Sequence, residues 1–178
     1  TYHCHDDNTP RQYNIEKSLE NGHPSMIINQ DTGELIPHWT EIDIRSDENE
    51  PSIIHLRTIK ALDHNTSYVI LFTDLKDSND TYIEAPVGFA ALRDDVITNS
   101  PDIEDRRSDF EELFTWIDEN TDRSISSLQT AWVFNTASTE SLIGPLLSMR
   151  NDALERIGEN GIGCTLETNE EVLDEDGN

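Results

Sequence analysis

The chain has 178 residues, and its 12 Lys and Arg against 37 Asp and Glu give a formal net charge of −25. A surface this acidic repels phosphate backbones and anionic headgroups, which predicts no nucleic-acid partner. No apolar run approaches the roughly 20 residues that cross a bilayer, so we expect no membrane insertion. The length suffices for one domain with its own core, or for one core with an appended helical element.

The N-terminal part of the chain predicts a lead-in followed by a hairpin. Residues 1–20 are polar and lack periodicity, so we expect an irregular segment there. Residues 24–29 predict a strand, and the polar run 30–34 predicts a turn in which Gly33 supplies the positive φ. A partner strand over 35–45 would close this hairpin.

A long strand near the middle of the chain is the predicted centre of the fold. It follows another strand over 52–59, and β-branched and aromatic residues alternate along it. Such alternation without polar interruption predicts burial on both faces. The polar residues 77–80 and a returning strand over 81–89 would complete a second hairpin. The two predicted faces of the central strand are Tyr68, Ile70 and Phe72 on one side and Val69 and Leu71 on the other.

Two helices and one more strand are predicted in the C-terminal half. Ser100 followed by Pro101 is a typical helix start, and apolar residues recur at helical spacing over 101–119. A strand is expected over 128–135, with Trp132 and Phe134 pointing into the same core as that helix. A second helix over 141–157 would end at Gly158.

These elements predict a mainly β, α+β fold: an antiparallel immunoglobulin-like β-sandwich with one or two packed helices. Residues 1–20 would be the lead-in and 21–160 the sandwich domain. A short strand and an acidic tail would occupy 161–178.

Cys4 and Cys164 are the only cysteines, and we expect them to form a disulfide outside the cytosol. The alternative is a metal site, because residues 3–7 (HCHDD) hold borderline ligands close together.

Two acidic segments are candidate calcium sites, and no other cofactor is expected. Asp77, Asn79 and Asp80 form one, although a turn needs the same side chains for its own backbone. Asp174 and Asp176 open a pattern like that of a calcium loop, although an unstructured acidic tail is the better explanation of these residues.

Three further positions bear on binding or modification. Trp39 is a candidate ligand platform, because it alternates away from Ile42. Asn65 and Asn79 match the glycosylation pattern in predicted turns, which matters if the source is eukaryotic.

No catalytic residue is predicted. The chain lacks a Gly-x-Ser-x-Gly turn and a glycine-rich phosphate loop. A triad assembled from distant residues stays open, because a triad is defined by geometry and not by sequence position.

Several segments, taken in order, carry a family resemblance. They are residues 37–43 (PHWTEID), 66–70 with 75–77, 89–94 (FAALRD), the Arg106-Arg107 pair, 132–138 and 149–153 (MRNDA). This ordered set resembles the N-terminal immunoglobulin-like region of large secreted bacterial proteins of the lipase- or esterase-like α/β-hydrolase type. Val133 departs from that pattern, since the family commonly has Asp there.

The resemblance implies a non-catalytic structural or positioning module of a secreted or cell-surface multidomain protein. Its partners would be neighbouring domains or other subunits, and a serine hydrolase domain would lie elsewhere in the parent protein. The chain begins with Thr, so we expect a processed or excised segment. Two alternatives remain: part of a hydrolase whose catalytic residues lie outside this chain, or a carbohydrate- or calcium-binding module.

Overall fold

A computed structural model describes residues 14–43, 45, 53–77, 79–158 and 161. The chain forms two compact units, Thr1–Ala137 and Ser138–Asn178. In the described part of the first unit, a 3-10 helix over Ile15–Leu19 precedes the strands β1 (Ser25–Asn29), β2 (His38–Ile42), β3 (Ile54–Thr58) and β4 (Ser67–Thr73). The helices α1 (Val87–Arg93), α2 (Pro101–Glu104) and α3 (Arg107–Asn120), a 3-10 turn over Ile125–Ser127 and the strand β5 (Leu128–Asn135) follow.

Strand β4 is the centre of an antiparallel sheet with the order β1-β4-β5. Ile70 of β4 lies opposite Ile27 of β1 on one side and opposite Trp132 of β5 on the other. The predicted strands over 24–29 and 128–135, and the predicted central strand from Tyr68 to Phe72, are therefore confirmed. The fold is α+β with antiparallel sheets.

Strands β2 and β3 form a separate two-stranded antiparallel sheet, in which Ile42 lies opposite Ile54. The sequence predicted that 35–45 would pair with β1, and this is wrong beyond its first residues. Only Leu35 bridges to Ile28, and the Ile36 N–H donates to the Ile27 carbonyl. The turn before it is as predicted, with Gly33 at φ 72°.

Two apolar clusters cover the two faces of the β1-β4-β5 sheet, as the alternation along β4 predicted. Val69 and Leu71 face α1 and α3, where they pack with Phe89, Leu113 and Ile117. On the opposite face lies a second cluster, against which Ile54 and Leu56 of β3 pack; its buried members are Ile27, Ile36, Tyr68, Ile70 and Phe72.

The predicted returning strand over 81–89 is wrong. Tyr82 makes only an isolated bridge to Lys76, and helix α1 begins at Val87. Pro86 precedes the helix without continuing a strand, and Phe89 and Leu92 then recur at helical spacing on a buried face. The polar run before Tyr82 therefore closes a small turn instead of a full hairpin.

The helix predicted over 101–119 is present as two helices. Ser100 and Pro101 start α2 as expected, and Arg106, at φ −97° and ψ −5°, separates α2 from α3. Leu113 and Ile117 of α3 are buried, as the apolar stripe predicted.

The prediction that Trp132 and Phe134 point toward this helix is wrong. Trp132 stacks on Phe72 and Phe134 stacks on Tyr68, on the sheet face opposite the helices. Ala131 and Leu128 fill the helical face instead.

The second unit contains helix α4 (Thr139–Ile157), close to the predicted 141–157. Its N-cap is Ser138, whose Oγ accepts a hydrogen bond from the Ser141 N–H at 3.0 Å. Gly158, at φ 66°, follows its last residue. Beyond Gly161, the strand and tail expected over 161–178 lie outside the described residues.

We predict that Ile117→Ala in α3 lowers the free energy of unfolding by about 2–5 kcal/mol, because it leaves a cavity between the helix and β4. Urea titration followed by circular dichroism measures this. Glu112→Ala, on the exposed side of the same helix, is the matched control and should change the free energy by less than about 0.5 kcal/mol. Equal small changes for both variants would show that α3 does not stabilise the sheet.

Candidate functional site

Trp39 lies on the outer face of the β2–β3 sheet and is half-buried. Its indole Nε1–H donates to Glu41 Oε1 at 3.0 Å, and the other carboxylate oxygen accepts from Arg57 Nε at 2.6 Å. These hydrogen bonds from Trp39 and Arg57 lower the pKa of Glu41. Trp39, the predicted ligand platform, is therefore hydrogen-bonded to Glu41, which in turn pairs with Arg57 on the neighbouring strand.

The segment 77–80 uses its acidic oxygens within the turn. Asp77 Oδ1 accepts from the backbone N–H groups of Thr81 and Asn79 at 2.9 and 2.8 Å, and these bonds lower the pKa of Asp77. Asp80, at φ 62°, pairs with Lys76 Nζ at 2.7 Å. Among the described residues, no group of three or more His, Cys, Asp or Glu side chains is placed to hold a metal ion.

The remaining predicted positions fall into two groups. Cys4, Cys164, Asp174 and Asp176 lie outside the described residues, so the disulfide and the C-terminal calcium site stay predictions. The side chains of Asn65 and Asn79 are exposed, and both residues lie in turns as expected.

A buried Ser–His pair, not singled out by the sequence, lies where β1 meets the start of β2. Ser25 Oγ is 2.9 Å from His38 Nε2, and His38 Nδ1 is 2.8 Å from the Ile36 carbonyl oxygen. Because a carbonyl only accepts, Nδ1 carries the ring proton, and Ser25 donates its hydroxyl proton to Nε2. This is the arrangement of a nucleophile beside a base.

The Ser25–His38 pair is closed to any substrate. Ser25 is 2% exposed and His38 is 0% exposed, and the His38 N–H donates to Ser18 Oγ of the 3-10 helix at 3.1 Å. Burial lowers the pKa of His38 to about 4, with a smaller effect from the nearby ring of His23. A catalytic pair must reach a substrate atom, so these residues are a structural hydrogen-bond network.

The outer edge of β5 is partly exposed. No described strand pairs with β5 on the side away from β4. The Arg93 Nη1–H donates to the Leu128 carbonyl at 2.6 Å and so covers the beginning of this edge. Farther along, Trp132 and Val133 are 37% and 39% exposed.

The hydrogen-bond pattern fixes which backbone groups point outward from β5. The Thr136 N–H donates to the Thr66 carbonyl, and Tyr68 lies opposite Phe134 in the same register. In an antiparallel ladder the backbone groups alternate in direction, so those of Val133 and Asn135 point away from β4.

A groove of about 430 Å³ lies beside this edge. Its walls come from α1, α2, the first turn of α3 and β5, and its main lining residues are Phe89, Leu92, Ile103, Phe110, Ala131 and Trp132. Because neighbouring strand residues point to opposite faces, lining by both Ala131 and Trp132 places the groove at the edge of the strand.

Comparisons with protein families, well-described proteins and solved structures find no match for the chain. Within the described ranges, no helix combines the length and apolar character that crossing a bilayer requires. The function is therefore inferred from the geometry of the chain itself.

We predict that His38 makes the free energy of unfolding depend on pH between 6.5 and about 4. In that range the unfolded chain takes up a proton that the buried ring does not, so stability falls as the pH falls. The loss at about pH 4.5, relative to about pH 7.5, should be about 2–3 kcal/mol from this residue. Urea titration of the wild type and of His38→Gln at both pH values isolates the effect.

The matched control is Thr40→Val on the same face of β2. The buried Thr40 Oγ1 has no partner among the described residues, and valine does not titrate, so this variant should keep the pH dependence of the wild type. A His38→Gln variant with an unchanged pH dependence would show that His38 is not the group that titrates.

Proposed function

We propose that the chain is a non-catalytic positioning module that binds a partner polypeptide. An extended segment of the partner would pair with the outer edge of β5 as an additional strand. The observation that carries this proposal is that, within the described part of the first unit, no strand pairs with that edge and no charged residue or proline lies along it. Exposed edges are normally guarded by charged residues, proline or a covering element, because their backbone groups pair with any free strand.

The sequence of β5 itself has neither of the first two guards. Leu128–Asn135 reads LQTAWVFN and contains no charged residue and no proline. The outward backbone groups of Val133 and Asn135 are the donors and acceptors that an added strand would use. Strand addition is therefore the mode of recognition that this geometry favours.

The buried polar residues support a positioning role over a hydrolytic one. The nucleophile–base pair formed by Ser25 and His38 is buried on both members. Its hydrogen bonds connect β1, β2 and the 3-10 helix, so the pair stabilises the packing of these three elements.

Three expectations from the sequence agree with this function: a sandwich fold, a secreted or cell-surface location and a disulfide. An immunoglobulin-like sandwich is supported by the packing of Ile54 and Leu56 of the small sheet onto the β1-β4-β5 sheet. The family resemblance supports a secreted or cell-surface location and a parent protein with a hydrolase domain elsewhere. A Cys4–Cys164 disulfide would fit that location.

The alternative function, binding of carbohydrate or calcium, has weaker support. The Trp39 indole N–H is already bonded to Glu41, so it does not donate to a sugar. Asp77 and Asp80 direct carboxylate oxygens at the turn backbone and at Lys76, and a calcium ion would have to displace those partners.

We predict that Val133→Pro abolishes binding of extended peptides while leaving the fold intact. Proline removes an N–H that points away from β4 and is tolerated on an edge strand. A random-peptide display library selected on the full chain supplies the probes, and titration of the synthesised peptides measures binding. Val133→Thr, which keeps the N–H and suits a strand, is the matched control and should bind as the wild type does.

Two results contradict this proposal. One is a selection that yields no binding peptide, and the other is a peptide that binds the folded Val133→Pro variant as tightly as the wild type. Circular dichroism and urea titration establish that the variant is folded.

A further inference from the structure

We propose that the groove beside β5 receives one large apolar side chain of the bound segment, and that this segment carries net positive charge. The inference rests on the proposed function, since it names the chemistry of the partner at the same edge.

The groove has the size and the lining of a side-chain pocket. Its volume of about 430 Å³ lies within the range of roughly 300–1,000 Å³ that ligand pockets occupy. Two phenylalanine rings, Phe89 and Phe110, meet edge to face in its wall at 5.9 Å between ring centroids. Ile103 and Leu92 add aliphatic surface, so an aromatic or large aliphatic side chain fits this wall.

The position of the groove couples it to the edge. It is lined by Thr130, Ala131 and Trp132, and the outward backbone groups of Val133 follow directly along the strand. A segment that pairs with Val133 therefore places the side chains of its next residues beside the groove. Backbone pairing supplies affinity, and the pocket supplies the choice of sequence.

The charge around the groove determines the sign of the partner. The helical wall, residues 86–110, contains six acidic residues and three arginines. Two of these arginines are already paired, Arg93 with Asp94 at 2.7 Å and Arg107 with Glu104 at 2.9 Å. Asp102 and the third arginine, Arg106, both lie in the lining, so the acidic excess comes from the surface around the groove. With a chain charge of −25, the surrounding field attracts a basic segment and repels an acidic one.

The same charge argues against a second copy as the occupant. Two chains that pair edge to edge through β5 would bring together two bodies of charge −25. That repulsion opposes association at physiological ionic strength, where opposite charges on a partner would favour it.

The experiment uses the peptides selected on the full chain and compares them one residue at a time. We expect one position to require a large apolar residue, with replacement by alanine weakening binding at least about tenfold. We expect Lys or Arg at flanking positions, with Lys→Glu replacement weakening binding and added salt weakening the basic peptide. These substitutions lie in the peptide, so they do not depend on how a variant chain folds.

A groove-filling variant tests the same point from the side of the chain. Gly88 lines the groove, and a Cβ there would lie 3.4 Å from Ile103 Cδ1, which is ordinary contact. Gly88→Leu should obstruct part of the groove and weaken binding of the peptide at least about tenfold. Val87→Leu, at the neighbouring solvent-exposed position, is the matched control and should leave the affinity unchanged.

The outcomes separate the two proposals. If binding is lost in Val133→Pro but no peptide position requires an apolar residue, or Gly88→Leu binds normally, the edge is used and the groove is not. If acidic flanks bind as tightly as basic ones, the inference about charge is wrong. If Val133→Pro binds as the wild type does, the proposed function itself fails.

Discussion

Burial of β4 on both faces is the constraint on which the first unit depends. Residues from Tyr68 to Thr73 are all buried, with helices on one face and the β2–β3 sheet on the other. A strand in this position must also satisfy its backbone on both edges, because water does not reach it. β1 and β5 do so, and β5 thereby becomes an outer strand whose far side pairs with no described strand.

The sequence predicted what local periodicity determines and failed where pairing depends on distant residues. The two faces of β4 follow directly from alternation, because successive side chains of a strand point to opposite faces of the sheet. The pairing of β2 does not, because it depends on the distant strand β3: Leu35 and Ile36 begin a ladder with β1, but the Pro37 carbonyl already accepts a hydrogen bond from the Ile59 N–H. The chain then leaves that edge and pairs with β3 instead.

Only part of the candidate site could have been predicted from the sequence. His38 shares the parity of Thr40 and Ile42, so alternation alone would have placed it on the inner face, where a histidine needs a partner. The groove gave no such signal. Its wall includes α1, and residues 87–89 continue the apolar character of the preceding extended segment until Phe89 and Leu92 pack as one helical face.

The negative charge of the chain and the lack of charged residues in β5 act together. An unguarded apolar edge invites pairing with identical chains, which is why most proteins place charges on it. Here the edge from Trp132 to Asn135 carries no charge, while the chain as a whole carries −25. Repulsion between two like chains then opposes self-pairing once they approach within about a Debye length, roughly 8 Å at physiological ionic strength. A partner of opposite charge meets no such barrier, so the same charge that keeps copies apart selects the segment that the edge can accept.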